Sequence, residues 1–145
     1  MPTTLVLFDF DGTLTRRDSL LDFLKFAVGR YDFYKGLVRM SPVLAAYALH
    51  IISNSAAKER LIAHFFAGWD TARFEAVADD YSMRCIDNIL RPEAFSTLQK
   101  HLASGHRVAV VSASMEDWLQ SWCRTHRVEL IATRLERDGA RLAGR

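Results

Sequence analysis

The chain has 145 residues, 50% of them hydrophobic, enough for one ordinary globular domain to bury a core without disulfides or structural metals. Lys and Arg number 19 against 17 Asp and Glu, and this scattered, mild surplus of +2 with a pI near 8.7 argues against a nucleic-acid partner. Two cysteines, Cys85 and Cys123, with no CxxC pair and no His/Cys cluster at zinc-ligand spacing, indicate neither a disulfide scaffold nor a zinc site and suit a reducing cytoplasm.

The opening MPTTLVLFDFDG has no basic stretch followed by an apolar region, so no export signal is expected. Leu5, Val6, Leu7 and Phe8 form an apolar run ending at Asp9, which predicts a strand buried on both faces, with a turn at Asp11-Gly12. Helical spacing follows over residues 18–90, broken at Gly29-Arg30, Ser41-Pro42, Ser53-Asn54 and Trp69-Asp70, and predicts four or five helices. Within it, residues 42–52 are the most apolar window. That window is about half the length needed to span a bilayer and contains His50, so a buried helix is expected rather than a membrane partner, a membrane-surface helix being the lesser alternative.

Pro92 opens a further helix over residues 93–104, closed by Gly105. A Val-rich buried strand is predicted over 107–112, then a helix over 116–127 with Trp118, Leu119 and Trp122 on one side, then a third strand over 128–133. Residues 135–142 carry Asp138-Gly139 at the centre of a hairpin signal. This order predicts an α/β fold: a core from residues 1–17 and 91–145, interrupted by an all-helical cap over 18–90.

Asp9 and Asp11 carry the strongest chemical signal. Side chains two apart on an extended segment share a face, and both carboxylates leave the strand at its C-terminal end, where open α/β sheets bind ligands. Two carboxylates so close either share a proton or hold a hard cation such as Mg²⁺. One can then attack phosphorus while the other protonates the leaving oxygen and later activates water. Gly12 lets the backbone turn beneath a phosphate, and Ser112, ending the second strand, can donate to a phosphoryl oxygen. Ser114 is read as a helix cap, as is Asp18, while Arg17 is read as solvated. The histidines His50, His64, His101, His106 and His126 read as structural or surface residues. Phe23, Phe26, Phe33, Tyr34, Phe65, Phe66 and Trp69 are expected to pack the cap, some of them facing a substrate pocket.

DFDGTLT at residues 9–15 and VAVVSAS at 108–114, continued as SASMEDWL, resemble the first and second motifs of the haloacid dehalogenase superfamily, in its phosphoserine-phosphatase-like branch with a helical cap after the first motif. The resemblance implies a Rossmann-like parallel sheet and Mg²⁺-dependent hydrolysis of a small phosphorylated metabolite through an aspartyl-phosphate. It implies Asp9 as nucleophile, Asp11 as general acid/base, and Mg²⁺ held by Asp9 and the backbone carbonyl of Asp11. Phe10, Gly12, Thr13, Ser112 and Ala113 become the substrate contacts. The family's lysine and GD-x-x-x-D-type acidic loop have no counterpart before Arg145, so the resemblance also implies C-terminal truncation and an incomplete sheet. The strand before Asp9 would then be an edge that a dimer or partner covers. The alternative from another class is a catalytically silent phosphate-binding or scaffold protein.

Overall fold

A computed structural model of the chain describes residues 3–135, 137–138 and 141–142. In chain order the elements are β1 (Leu5–Asp9), a π-type turn (Phe10–Leu14), α1 (Ser19–Val28), α2 (Arg30–Arg39), α3 (Ser41–Ala48), α4 (Asn54–Phe66), α5 (Thr71–Arg84), a 3-10 turn (Ile86–Ile89), α6 (Pro92–Ala103), β2 (Arg107–Met115), α7 (Glu116–Thr125), β3 (Glu129–Thr133), β4 (Arg137–Asp138) and β5 (Arg141–Leu142). They form two compact units, Met1–Phe23 with Val77–Arg134, and Leu24–Ala76 with Leu135–Arg145.

The first unit is an α/β layer. Its sheet runs β1-β2-β3, all parallel, with Asp9 beside Val111 and Ala109 beside Glu129. Both crossovers step in the same direction, so right-handed connections place α6 and α7 on one face. There Leu98 of α6 and Trp118, Leu119 and Trp122 of α7 are buried, as the apolar spacing of the two helices predicts. The opposite face leaves Leu5, Leu7, Val111 and Ile131 exposed. β1 is therefore not buried on both faces as its sequence suggests: Leu7 is 60% exposed, because the strand lies at the sheet edge with helices on one side only.

Two segments carry the chain away from the sheet and back. They are tied at an antiparallel bridge between Thr15 and Leu90, by Arg16 N–H to the Ile89 carbonyl (2.9 Å) and by Arg91 N–H to the Leu14 carbonyl (2.7 Å). Tyr81 donates to Asp22 Oδ2 (2.9 Å), and Phe23 stacks on Trp118 at 4.5 Å between ring centres, so this ring belongs to the sheet unit.

The predicted breaks become the helix ends. Asp18 Oδ1 accepts from the Leu20 and Leu21 amides, Ser53 Oγ from Ala56 and Asp70 Oδ1 from Ala72, each capping the helix that follows. In the second unit, Phe66 packs edge-on to Trp69 and Phe74, and Phe33 lies against Phe65. Residues 42–52 depart from expectation: α3 contains no buried residue, and Leu49 and Ile51 are 70% and 72% exposed. An eight-residue helix that is apolar on every side can bury only the face turned to α2 and α4, and the chain leaves helical geometry at His50, where φ is 58°. Asp138 pairs with Arg141, and Gly139, half of the predicted Asp138-Gly139 turn, lies outside the described residues. Among the described residues no helix is long and apolar enough to cross a membrane.

Two expectations follow. An apolar edge strand invites pairing, so the chain should sediment as larger species with rising concentration, and Leu7→Lys should return it toward monomer; a monodisperse wild-type monomer would overturn this. Burial pushes the Cys123 thiol up to about 12, and burial followed by the Asp22 carboxylate pushes the Tyr81 phenol upward. Both groups keep their protons in the folded chain where the unfolded chain releases them. Their contribution is complete below the unfolded values and is lost as pH rises toward the folded ones. The urea midpoint should accordingly fall as pH climbs from 9.0 toward about 12, with Cys123→Ala flattening the onset.

Candidate active site

Asp9 is the last residue of β1, at the C-terminal edge of the sheet, and is exposed. Its Oδ1 accepts from the Phe10 amide (2.9 Å) and its Oδ2 from the Thr13 hydroxyl (3.5 Å), both within its own turn. Gly12 adopts φ 79°, the left-handed region, and nothing lies within 4 Å of where a Cβ would stand. The backbone angle and not crowding is thus what calls for glycine. The Gly12 amide donates to the Thr15 hydroxyl (3.2 Å), closing the turn. Phe10 has a fully buried side chain, edge-on to Trp122, so only its main chain can serve a ligand.

Asp11 is held differently. Its Oδ1 accepts the Ser19 amide (2.7 Å) and its Oδ2 the hydroxyl of Ser114. Ser19 Oγ donates to Ser114 Oγ (3.1 Å), and the Trp118 indole N–H donates to Ser19 Oγ (3.2 Å). An indole can only donate, so Trp118 gives its proton to Ser19 Oγ, and the chain continues from the Ser19 hydroxyl to Ser114 and from Ser114 to Asp11. Ser19, Ser114 and Trp118 are buried, which excludes water as a competitor.

Parallel pairing of β1 with β2 brings Ser112 to the same edge, where its hydroxyl oxygen accepts the Ser114 amide (3.0 Å) and its own proton is left to donate. Ala113 is exposed beside it, its carbonyl taken by Thr133. Ser114 is not a helix cap: β2 runs on to Met115, which precedes α7 without a side-chain cap bond. The clue in the sequence was alternation, since Ser112 and Ser114 are two apart on an extended strand and share a face. For Ser19 and Trp118 no local pattern signals a bond formed across 95 to 99 residues. Among the described residues no group of three Asp, Glu, His or Cys side chains could hold a metal.

Removing one link should disturb the rest. Ser114→Ala deprives an Asp11 oxygen and the Ser19 hydroxyl of their partner and should cost about 1–3 kcal/mol. Trp118→Phe keeps the ring against Phe23 but loses the N–H, and should cost about 1 kcal/mol. In urea unfolding the double variant should fall short of additivity by about 0.5 kcal/mol or more; strictly additive losses would mean the bonds act independently.

The haloacid dehalogenase-like hydrolase family matches residues 6–145. Protein CicA of Caulobacter vibrioides is 34% identical over 143 residues, which are 97% of this chain and 63% of CicA. A Mycobacterium tuberculosis protein named "Probable phosphatase" is 30% identical over 122 residues, 79% of this chain and 41% of its own length. The chain thus spans less than two thirds of either relative. Among solved structures, a Bordetella pertussis protein with unknown function matches with a TM-score of 0.80 at 26% identity, over 99% of this chain and 66% of that one. A phosphoserine phosphatase bearing a phospho-aspartyl intermediate analogue shares the fold, with a TM-score of 0.63 at 16% identity over 100% of this chain and 63% of that one. With the family match running from β1 to the last residue, and DFDGTLT standing where a parallel sheet presents its C-terminal edge, the chain belongs to the haloacid dehalogenase-like hydrolase family.

Proposed function

We propose that this chain carries the nucleophile half of a Mg²⁺-dependent phosphomonoester hydrolase acting on a small phosphorylated metabolite through an aspartyl-phosphate. The observation that carries the reading is the contrast between the two aspartates: Asp9 is exposed with bonds only to its own turn, and Asp11 is clamped by Ser19 and Ser114. A nucleophile must be accessible, and a proton carrier must be held in one orientation.

The donor set suits a hard cation that keeps several waters. The Asp9 carboxylate and the Asp11 carbonyl would hold Mg²⁺, whereas the Asp11 carboxylate has both oxygens engaged by donors. The cation supplies neutralising charge, without which an anionic carboxylate and an anionic phosphoryl group repel. An Asp9 oxygen attacks phosphorus as the bond to the leaving oxygen breaks, and Asp11, entering the step as the carboxylic acid, delivers its proton to that oxygen and is left as the carboxylate. Asp11 then takes a proton from water, whose oxygen attacks the phosphorus of the aspartyl-phosphate and restores Asp9. The Ser112 hydroxyl and the main chain of Phe10, Gly12, Thr13 and Ala113 would hold the phosphoryl oxygens. The two free cysteines fit a cytoplasmic setting.

A catalytically silent phosphate-binding or scaffold protein is the second reading, favoured by the lack of a third acidic ligand among the described residues. Phosphate release from an aryl phosphate separates the two. The proposal expects release that a chelator stops and that Asp9→Asn lowers by at least about 10³-fold. Equal rates in wild type and Asp9→Asn would remove Asp9 from the nucleophile role, and no release from a folded wild-type chain would favour the silent reading.

A further inference from the structure

The helical unit has a concavity of its own, about 340 Å³, lined among others by Asp32, Lys35 and Arg39 of α2, Phe65 of α4, and Trp69 and Arg73. Asp32, Lys35, Gly36 and Arg39 follow the i, i+3, i+4, i+7 spacing of one helix face. Gly36 on this face is buried, while Asp32, Lys35 and Arg39 are exposed around the concavity, where their charges are open to a ligand. Gly36 is what allows the close approach, since a Cβ there would collide with the Phe65 ring.

Two of the cations around this concavity lie over aromatic rings, Lys35 Nζ 6.0 Å from the centre of the Tyr31 ring and Arg73 over Trp69. Among the described residues Lys35, Arg39 and Arg73 form no ion pair with a carboxylate. Three cations against the single Asp32 leave a surplus of two positive charges, with His64 also on the wall. The Arg73 guanidinium carbon stands over the Trp69 ring, 3.8 Å from its centre. A guanidinium held at a ring in this way keeps N–H donors that can make paired bonds to an oxyanion.

We propose that this concavity is a binding site for the dianionic phosphoryl group of a small molecule, separate from Asp9 and independent of whether Asp9 acts as a nucleophile. Two surplus charges match a phosphoryl dianion, three donors of fork or point type suit its oxygens, and Phe65 offers an apolar wall to an attached organic body.

The test is a titration of the full chain with inorganic phosphate and, separately, with phenylphosphonate, which cannot be hydrolysed, followed by ¹H–¹⁵N correlation spectra. The Trp69 indole N–H and the amides of residues 35–39 should shift saturably, in wild type and in Asp9→Asn alike. Lys35→Gln with Arg39→Gln should weaken that binding by about tenfold or more. Tighter binding of phenylphosphonate would identify an organic phosphate as the ligand, and equal binding would identify free phosphate. Shifts confined to residues 9–13 and 112–114, or non-saturating drifts that the double variant leaves unchanged, would overturn the proposal.

Discussion

The parallel pairing of Leu5–Asp9 with Arg107–Val111 is the constraint on which the candidate active site depends. These strands lie about a hundred residues apart in the chain, and only their register sets the Asp9 turn beside Ser112 and Ser114. A slip of one residue would reverse the face of every side chain on β1. It would turn Val6 and Phe8 away from the helices, and would separate Asp11 from Ser114. The pairing therefore couples packing and site: the same ladder that buries Val108 and Val110 also presents the carboxylates. Closure of the chain at Thr15 and Leu90 protects this arrangement, because the inserted helices leave and return through a hydrogen-bonded neck.

Within that frame the two aspartates are separated by environment. Asp9 is at the solvent edge and its nearest donors belong to its own turn, so its oxygens can exchange partners without disturbing the fold. Asp11 is the terminus of a buried chain whose far end is an indole fixed in the core by stacking on Phe23. Orientation costs side-chain entropy, and here that cost is met by folding, before any ligand arrives. The packing of α7 on the sheet thus reaches the site through Trp118.

Much of this was legible in local pattern. The DFDGTLT run, the start of the Val-rich strand at Arg107, and the caps at Asp18, Ser53 and Asp70 each depend on residues within a few positions of one another, and each stands where spacing predicts. What escaped were features decided by distant partners. Leu5 and Leu7 read as buried because an apolar run does not say how many faces of its sheet are covered. Residues 42–52 read as buried because composition does not say how little area a short helix can bury. Ser114 read as a cap because the end of β2 was taken at Ser112, and the true end at Met115 reflects irregular pairing with β3. Ser19 and Trp118 had no local signal, since their value lies in a contact formed only in the tertiary fold.

The inventory of ligands bears on how the site would hold a cation. On the proposed reading a carboxylate and a carbonyl would give Mg²⁺ two protein oxygens, and an ion that dehydrates reluctantly can keep water at other positions. Binding would then be weak and governed by charge, because each carboxylate added to a hard-cation site both attracts the ion and orders its geometry. The Asp11 carboxylate already accepts from Ser19 and Ser114, so a cation placed on it would share its lone pairs with those donors. On the proposed reading, the network that orients the Asp11 side chain for proton transfer leaves its main-chain carbonyl to the metal, so the two duties would be divided between main chain and side chain.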